Sequence, residues 1–129
     1  MAPLIYLDTH VAAWLFAGKA ELLPPRARAR IEESDLLVSP AAVLELQYLY
    51  EIERVAEPAQ VVLDVLGPEL GLKVCDLPFP RVAEAALGLA WTRDPFDRLI
   101  VAQAIARGAA LLTKDRAIHD HYPHAAWAD

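Results

Sequence analysis

The sequence predicts an α/β fold in which a small parallel sheet is flanked by helices on both faces. Three observations carry that prediction. Short apolar runs suited to buried strands recur at 4–7, 36–39, 72–77 and 109–113. Helical segments separate them, as the crossovers of a parallel sheet require. Prolines and short polar residues sit where those helices begin.

Taken in order, "LIYL" (4–7) is the first strand, and the helix after it runs from Thr9 to about Ala17, closed near Gly18. The Pro24-Pro25 break precedes a short amphipathic helix over 27–34, and "LLVS" (36–39) is the second strand. Ser39-Pro40 combines a capping hydroxyl with a proline at the first helical position, opening a helix that is expected to reach about Val55. Pro58 begins another, expected to end near Leu66 because "GPELG" follows. "LKVCDL" (72–77) is the third strand, and Pro80 to Trp91 reads as helix. Asp94-Pro95 starts a helix over 95–107 that stops before Gly108. "AALLT" (109–113) is the fourth strand, and a last one is expected near Ala125–Trp127.

A chain of 129 residues suits one domain, spanning 1–129, with room for a real core. Hydrophobic residues make up 56% and charged ones 23%, a globular composition whose apolar share hints at surface reserved for a partner. No apolar run approaches the roughly 20 residues of a membrane span, and "MAPLIYLD" lacks the basic start of a signal peptide. A cytoplasmic location is expected. The single cysteine, Cys75, forms no internal disulfide and carries no nucleophile signature, so it reads as structural. The net charge of −6 argues against clamping nucleic acid by bulk charge, but acids gathered around cations would lower that sum without repelling a polyanion once loaded.

The acids separate into two groups. Asp97 shares its helix face with Ile100, Val101 and Ala104, and Glu45 shares its own with Ala41, Ala42, Tyr48, Leu49 and Ile52. Carboxylates on apolar stripes are costly unless something neutralises them. Asp8 ends the first strand and Asp115 follows the fourth by two residues, which puts both at the carboxyl edge of a parallel sheet. Taken singly, Asp8 and Asp115 fit helix caps, and Asp97 or Glu45 fits an ion pair with Arg98 or Arg93. Taken together, the four fit a seat for a hard divalent cation, which prefers oxygen ligands. The remaining acids, such as Glu32, Glu33, Glu51, Glu53, Glu57 and Glu69, lie in mixed surroundings and read as solvated.

"LIYLDTHVAAWLFAG", "VSPAAVLELQYL", "TRDPFDRLIVAQA" and "ALLTKDRAIHDH" resemble, in order and over nearly the whole chain, the motifs of the PIN-domain nucleases, specifically the VapC-type toxins of toxin–antitoxin pairs. The resemblance implies a PIN-like three-layer fold and an endoribonuclease that uses Mg²⁺ or Mn²⁺. It also implies inhibition by a VapB-type antitoxin, and a homodimer. Asp8, Glu45, Asp97 and Asp115 match the four family acids, to which metal binding and catalysis fall. Asp94 belongs to the "DPFD" signature but sits where a cap belongs. Thr9 and Thr113 lie where a hydroxyl would bond a carboxylate or a metal-bound water.

A cation held by these acids would activate a water to attack an RNA phosphodiester in line, leaving 5′-phosphate and 3′-hydroxyl ends. Arg93, Arg98, Lys114 and Arg116 flank the acids in sequence, so they are expected to rim the site and meet backbone phosphates. His119, His121 and His124 lack zinc-site spacing and read as a polar tail, and His10 as a packing or capping residue. Trp14 and Phe16 are expected in the core, and one of Tyr48 and Tyr50 is free for an interface. Two other functions fit an acidic strand-end site: a Mg²⁺-dependent phosphohydrolase and a non-catalytic binding module. Asp8 is followed by Thr9 and His10, without the second acid two residues on that phosphohydrolases usually carry.

Overall fold

The chain alternates strands and helices: β1 (Leu4–Leu7), α1 (Thr9–Phe16), α2 (Pro25–Glu33), β2 (Asp35–Val38), α3 (Pro40–Glu51), α4 (Ala59–Leu70), β3 (Lys73–Val74), α5 (Phe79–Ala86), α6 (Pro95–Arg107), β4 (Ala110–Leu112), α7 (Arg116–His121) and β5 (Ala125–Ala126). In the computed structural model, which describes residues 2–129, the strands form one parallel sheet in the order β3-β2-β1-β4-β5. Ile5, Tyr6 and Leu7 of β1 are all buried, because the central strand is covered on both faces. α1 packs on α3 and α4, while α6 packs on α5 and α3. No helix among the described residues is long and apolar enough to cross a membrane.

Helix starts follow local chemistry. Ser39 Oγ accepts from the Ala41 N–H and Asp94 Oδ1 from those of Phe96 and Asp97, each before a proline that begins the helix. α2 likewise begins at Pro25, two residues ahead of its expected start. The ends differ more from expectation. α3 stops at Glu51, short of Val55, and the chain leaves it through Glu53 at φ 63°. α4 runs past the expected break at Gly67-Pro68 to Leu70 and closes on left-handed Gly71. Pro68 withdraws the donor for the Asp64 carbonyl, but Asp64 is exposed, where solvent can satisfy such a group. α5 ends at Ala86, before Trp91, where Arg98 Nε donates to the Ala86 carbonyl at 2.9 Å. β3 is an outer strand of two residues, shorter than 72–77, extended by a bond from the Cys75 N–H to the Val38 carbonyl at 2.9 Å.

Candidate active site

The strand order changes direction at β1. β2 lies on one side of it and β4 on the other, so the crevice beyond their carboxyl ends is where an open α/β sheet accommodates a ligand. Asp8 and Thr113 leave β1 and β4 at this point, both buried. The Thr113 hydroxyl donates to Asp8 Oδ2 at 2.6 Å and accepts from the Asp115 N–H at 3.0 Å, tying the two strand ends together. Asp8 Oδ1 accepts from the Thr9 N–H at 2.8 Å and caps α1. Asp115 Oδ1 caps α7 through the N–H groups of Ala117 and Ile118. Capping and membership of the acidic group therefore coexist in both residues.

Two helices bring in the other acids. Glu45, half-buried on α3, receives a short hydrogen bond from the Thr9 hydroxyl. Asp97, half-buried in the first turn of α6, stands above Ile100, Val101 and Ala104, which are buried. Burial pushes the Asp97 carboxyl up to about 7, and the charges of Asp8, Asp94, Asp115 and Glu45 push in the same direction. Glu45 is raised as well, chiefly by burial, with Asp8 and Asp94 adding to it against the Thr9 hydrogen bond. Asp8, Glu45, Asp97 and Asp115 thus lie within electrostatic reach of one another.

Among the described residues no protein cation balances them. Among the described residues the single ion contact is His10 Nδ1 to Asp8 Oδ2 at 3.6 Å. Burial lowers the His10 pKa, and its Nε2 accepts from the Lys114 N–H at 3.0 Å, so a neutral ring turns Nδ1–H toward Asp8. Arg98, a candidate for pairing or for binding phosphate, spends its guanidinium on the carbonyls of Ala86 and Leu87. Arg93 and Arg116 are exposed, and Lys114 Nζ stands 5.8 Å from the centre of the Trp14 ring. An all-oxygen donor set with excess negative charge fits Mg²⁺ or Mn²⁺. Among the described residues no three His, Cys, Asp or Glu side chains stand close enough together to hold a metal ion.

The PIN domain family matches residues 5–123. The chain belongs to the PIN-domain family. It is 37% identical over 123 residues to ribonuclease VapC22 of Mycobacterium tuberculosis, with 91% of each chain covered. Solved structures of similar fold include VapBC2 from Rickettsia felis bound to a promoter DNA fragment (TM-score 0.60, 21% identity, 91% of this chain and 92% of that one). DNA-bound VapBC from Salmonella typhimurium gives a TM-score of 0.61 at 22% identity, covering 97% and 96%. A toxin–antitoxin complex from Klebsiella pneumoniae gives 0.63 at 16%, covering 97% and 98%. At these identities the likeness is one of fold, and it shows the PIN arrangement of a five-strand parallel sheet between helices.

Sequence reasoning missed the surroundings of the PIN-domain acids. His10 packs edge-on against Trp14 and Trp127, with ring centres 5.1 and 6.0 Å away, and His10 and Trp14 line the cavity beside Asp115. Only the fold brings Trp127 to these rings. Asp94 caps α6 and also presses on Asp97 and Glu45. The tail is not simply polar surface: His119 bonds the Thr113 carbonyl at 2.7 Å, Tyr122 is buried, and His121 stacks on Trp91 at 4.6 Å. Trp14 and Phe16 are partly buried against the core, and both Tyr48 and Tyr50 are exposed.

Proposed function

We propose that this PIN-domain chain is an endoribonuclease toxin that hydrolyses RNA phosphodiester bonds with the help of Mg²⁺ or Mn²⁺, and that a VapB-type antitoxin inhibits it. The observation that carries this reading is that Asp8, Glu45 and Asp115 bear on the half-buried Asp97 at the sheet's switch point, with no basic side chain among the described residues to balance them. The likeness to a ribonuclease of the same length supports RNA as the substrate. A divalent cation bound by these oxygens would supply a more acidic water and a counter-charge for the phosphate.

The chain's own residues set the geometry. Thr113 and the Thr9 N–H orient Asp8, and the Thr9 hydroxyl orients Glu45. Asp97, about half protonated near pH 7 in the cation-free state, would give up its proton to hold a cation. His10, neutral, keeps its N–H toward Asp8 without competing as a cation. Lys114, Arg93 and Arg116 remain to meet RNA phosphates on the rim. With water as nucleophile the products carry 5′-phosphate and 3′-hydroxyl ends.

The VapBC complexes of similar fold support an antitoxin partner. Exposed Leu44, Phe79 and Leu87 offer apolar surface for a second copy, in line with a homodimer. We place the protein in the cytoplasm, where its substrate lies.

Purified, antitoxin-free protein incubated with total cellular RNA tests the proposal. Discrete cuts with 5′-phosphate ends are expected in Mg²⁺ or Mn²⁺, none in EDTA, and at least ~100-fold slower cleavage by Asp97→Asn. Uncut RNA from folded protein in every condition, or cuts that persist in EDTA, would overturn it. Release of phosphate from small phosphoesters instead would favour a phosphohydrolase.

A further inference from the structure

Away from the acids, Cys75 lies just beyond β3, at 5% exposure, with hydrogen-bond donors on several sides. Tyr6 Oη donates to its sulfur at 2.9 Å from β1, and Arg107 Nη1 at 3.8 Å from the last turn of α6. Gln103, one turn before Arg107 and 2% exposed, turns its amide toward Tyr6 and Cys75, and its Nε2 finds no acceptor among the described residues.

The orientation of that amide is set from its other end. Ser39 Oγ accepts from the Ala41 N–H at 3.1 Å, so its own hydrogen goes to Gln103 Oε1, also at 3.1 Å. Turning the amide over would set its NH₂ against Ser39 and strand a buried hydroxyl hydrogen. Nε2 is therefore committed to the sulfur side. There Tyr6 Oη and Arg107 Nη1 already donate to the sulfur, and Gln103 Nε2 is a further donor without an acceptor among the described residues. A neutral thiol adds a further hydrogen to this donor-rich side, whereas a thiolate is the better acceptor for the Tyr6 and Arg107 hydrogens. The acidity agrees: burial pushes the thiol up, but the Tyr6 hydrogen bond, the neighbouring polar groups and the Arg107 charge outweigh it, and the net shift is downward.

We propose that Cys75 is an oxidative modification site, a donor-solvated thiolate that hydrogen peroxide or a small organic hydroperoxide converts to a sulfenate. A sulfur lone pair attacks the hydroxyl oxygen of the peroxide, the S–O bond forms as the O–O bond breaks, and the leaving hydroxide or alkoxide takes the proton of the transferred hydroxyl, giving the sulfenate and water or an alcohol. Sulfur loses two electrons and the peroxide gains them. The oxygen added to the sulfur supplies the acceptor that Gln103 Nε2 lacks. The local sequence "GLKVCDL" gave no hint of this, because every side-chain donor comes from a distant segment: Tyr6 from β1, Gln103 and Arg107 from α6.

The test uses the intact, folded chain. Ultraviolet absorbance reads thiolate against pH without a reagent having to reach the sulfur, and dimedone trapping with mass spectrometry after peroxide treatment reads sulfenate at Cys75. The proposal expects a titration midpoint below the free-thiol value of about 8.5 and a dimedone adduct formed in native buffer. Arg107→Met, at an exposed helix end, and Gln103→Leu are each expected to raise the midpoint and slow adduct formation about tenfold at neutral pH, with an unchanged circular dichroism spectrum. A native midpoint at or above about 8.5, an adduct that forms only in denaturant, or a low midpoint with no sulfenate would each overturn it.

Discussion

Asp97 binds a proton in the folded protein that the unfolded chain would give up. Its ordinary value of 3.8 rises to about 7, first through burial and then through the charges of Asp8, Asp94, Asp115 and Glu45. Between those values the folded state of the cation-free protein holds more protons than the unfolded state, so stability falls as pH rises from about 4 through about 7. Glu45, also raised, acts in the same direction. Because Asp97 is only half-buried, screening by water limits the loss to about 1–2 kcal/mol. Melting curves in EDTA are expected to show a lower Tm at about pH 8 than at about pH 5, and Asp97→Asn should flatten that slope. A wild-type Tm that rises over this range would contradict the assignment. The inward stance of Asp97 was legible in the sequence from its apolar neighbours at i+3, i+4 and i+7. The direction Arg98 takes was not, since its acceptors are carbonyls at the end of another helix.

α6 shows how one element serves both fold and site. Asp94 Oδ1 accepts from Phe96 and Asp97, which starts the helix and fixes the turn that carries the Asp97 carboxyl. Asp94→Ala removes the cap at about 1 kcal/mol, a Tm loss of roughly 3–5 °C in a chain of this size. Asp94→Asn keeps a capping oxygen while relieving the charge on Asp97, so its Tm should equal or exceed that of the wild type. Equal losses in Ala and Asn would show that the cap is not what Asp94 contributes. Helix starts such as Ser39-Pro40 and Asp94-Pro95 were readable because a cap is a local device. Ends were not: whether Pro68 breaks α4 depends on which carbonyl loses its donor, and the exposed Asp64 carbonyl tolerates the loss. α5 ends early, where a guanidinium from α6 receives its last carbonyls.

Across the whole molecule, alternation in the sequence implied a parallel sheet but did not order its strands. The order β3-β2-β1-β4-β5 makes β1 central and sets Asp8 beside Thr113, 105 positions away. Four acids on β1, α3, α6 and the β4–α7 connection were recognisable one by one from their faces and strand ends. Their meeting depends on that order, as do the Thr9 and Thr113 bonds that hold two of them. His10 and Trp14 were read as packing residues, but their meeting with Trp127 was not legible, because an aromatic cluster drawn from both ends of the chain has no local pattern.

The central claim, that these carboxylates form the seat of a divalent cation, is tested most directly by calorimetric titration of Mn²⁺ into the antitoxin-free protein at about pH 6, repeated in buffers of different ionisation enthalpy. A carboxyl with a pKa of about 7 is about nine-tenths protonated there and must release that proton to bind a cation. Saturable binding with release of about one proton is therefore expected, and Asp97→Asn should lose that release and most of the affinity. Absence of saturable binding, or binding that releases no proton, would contradict the account.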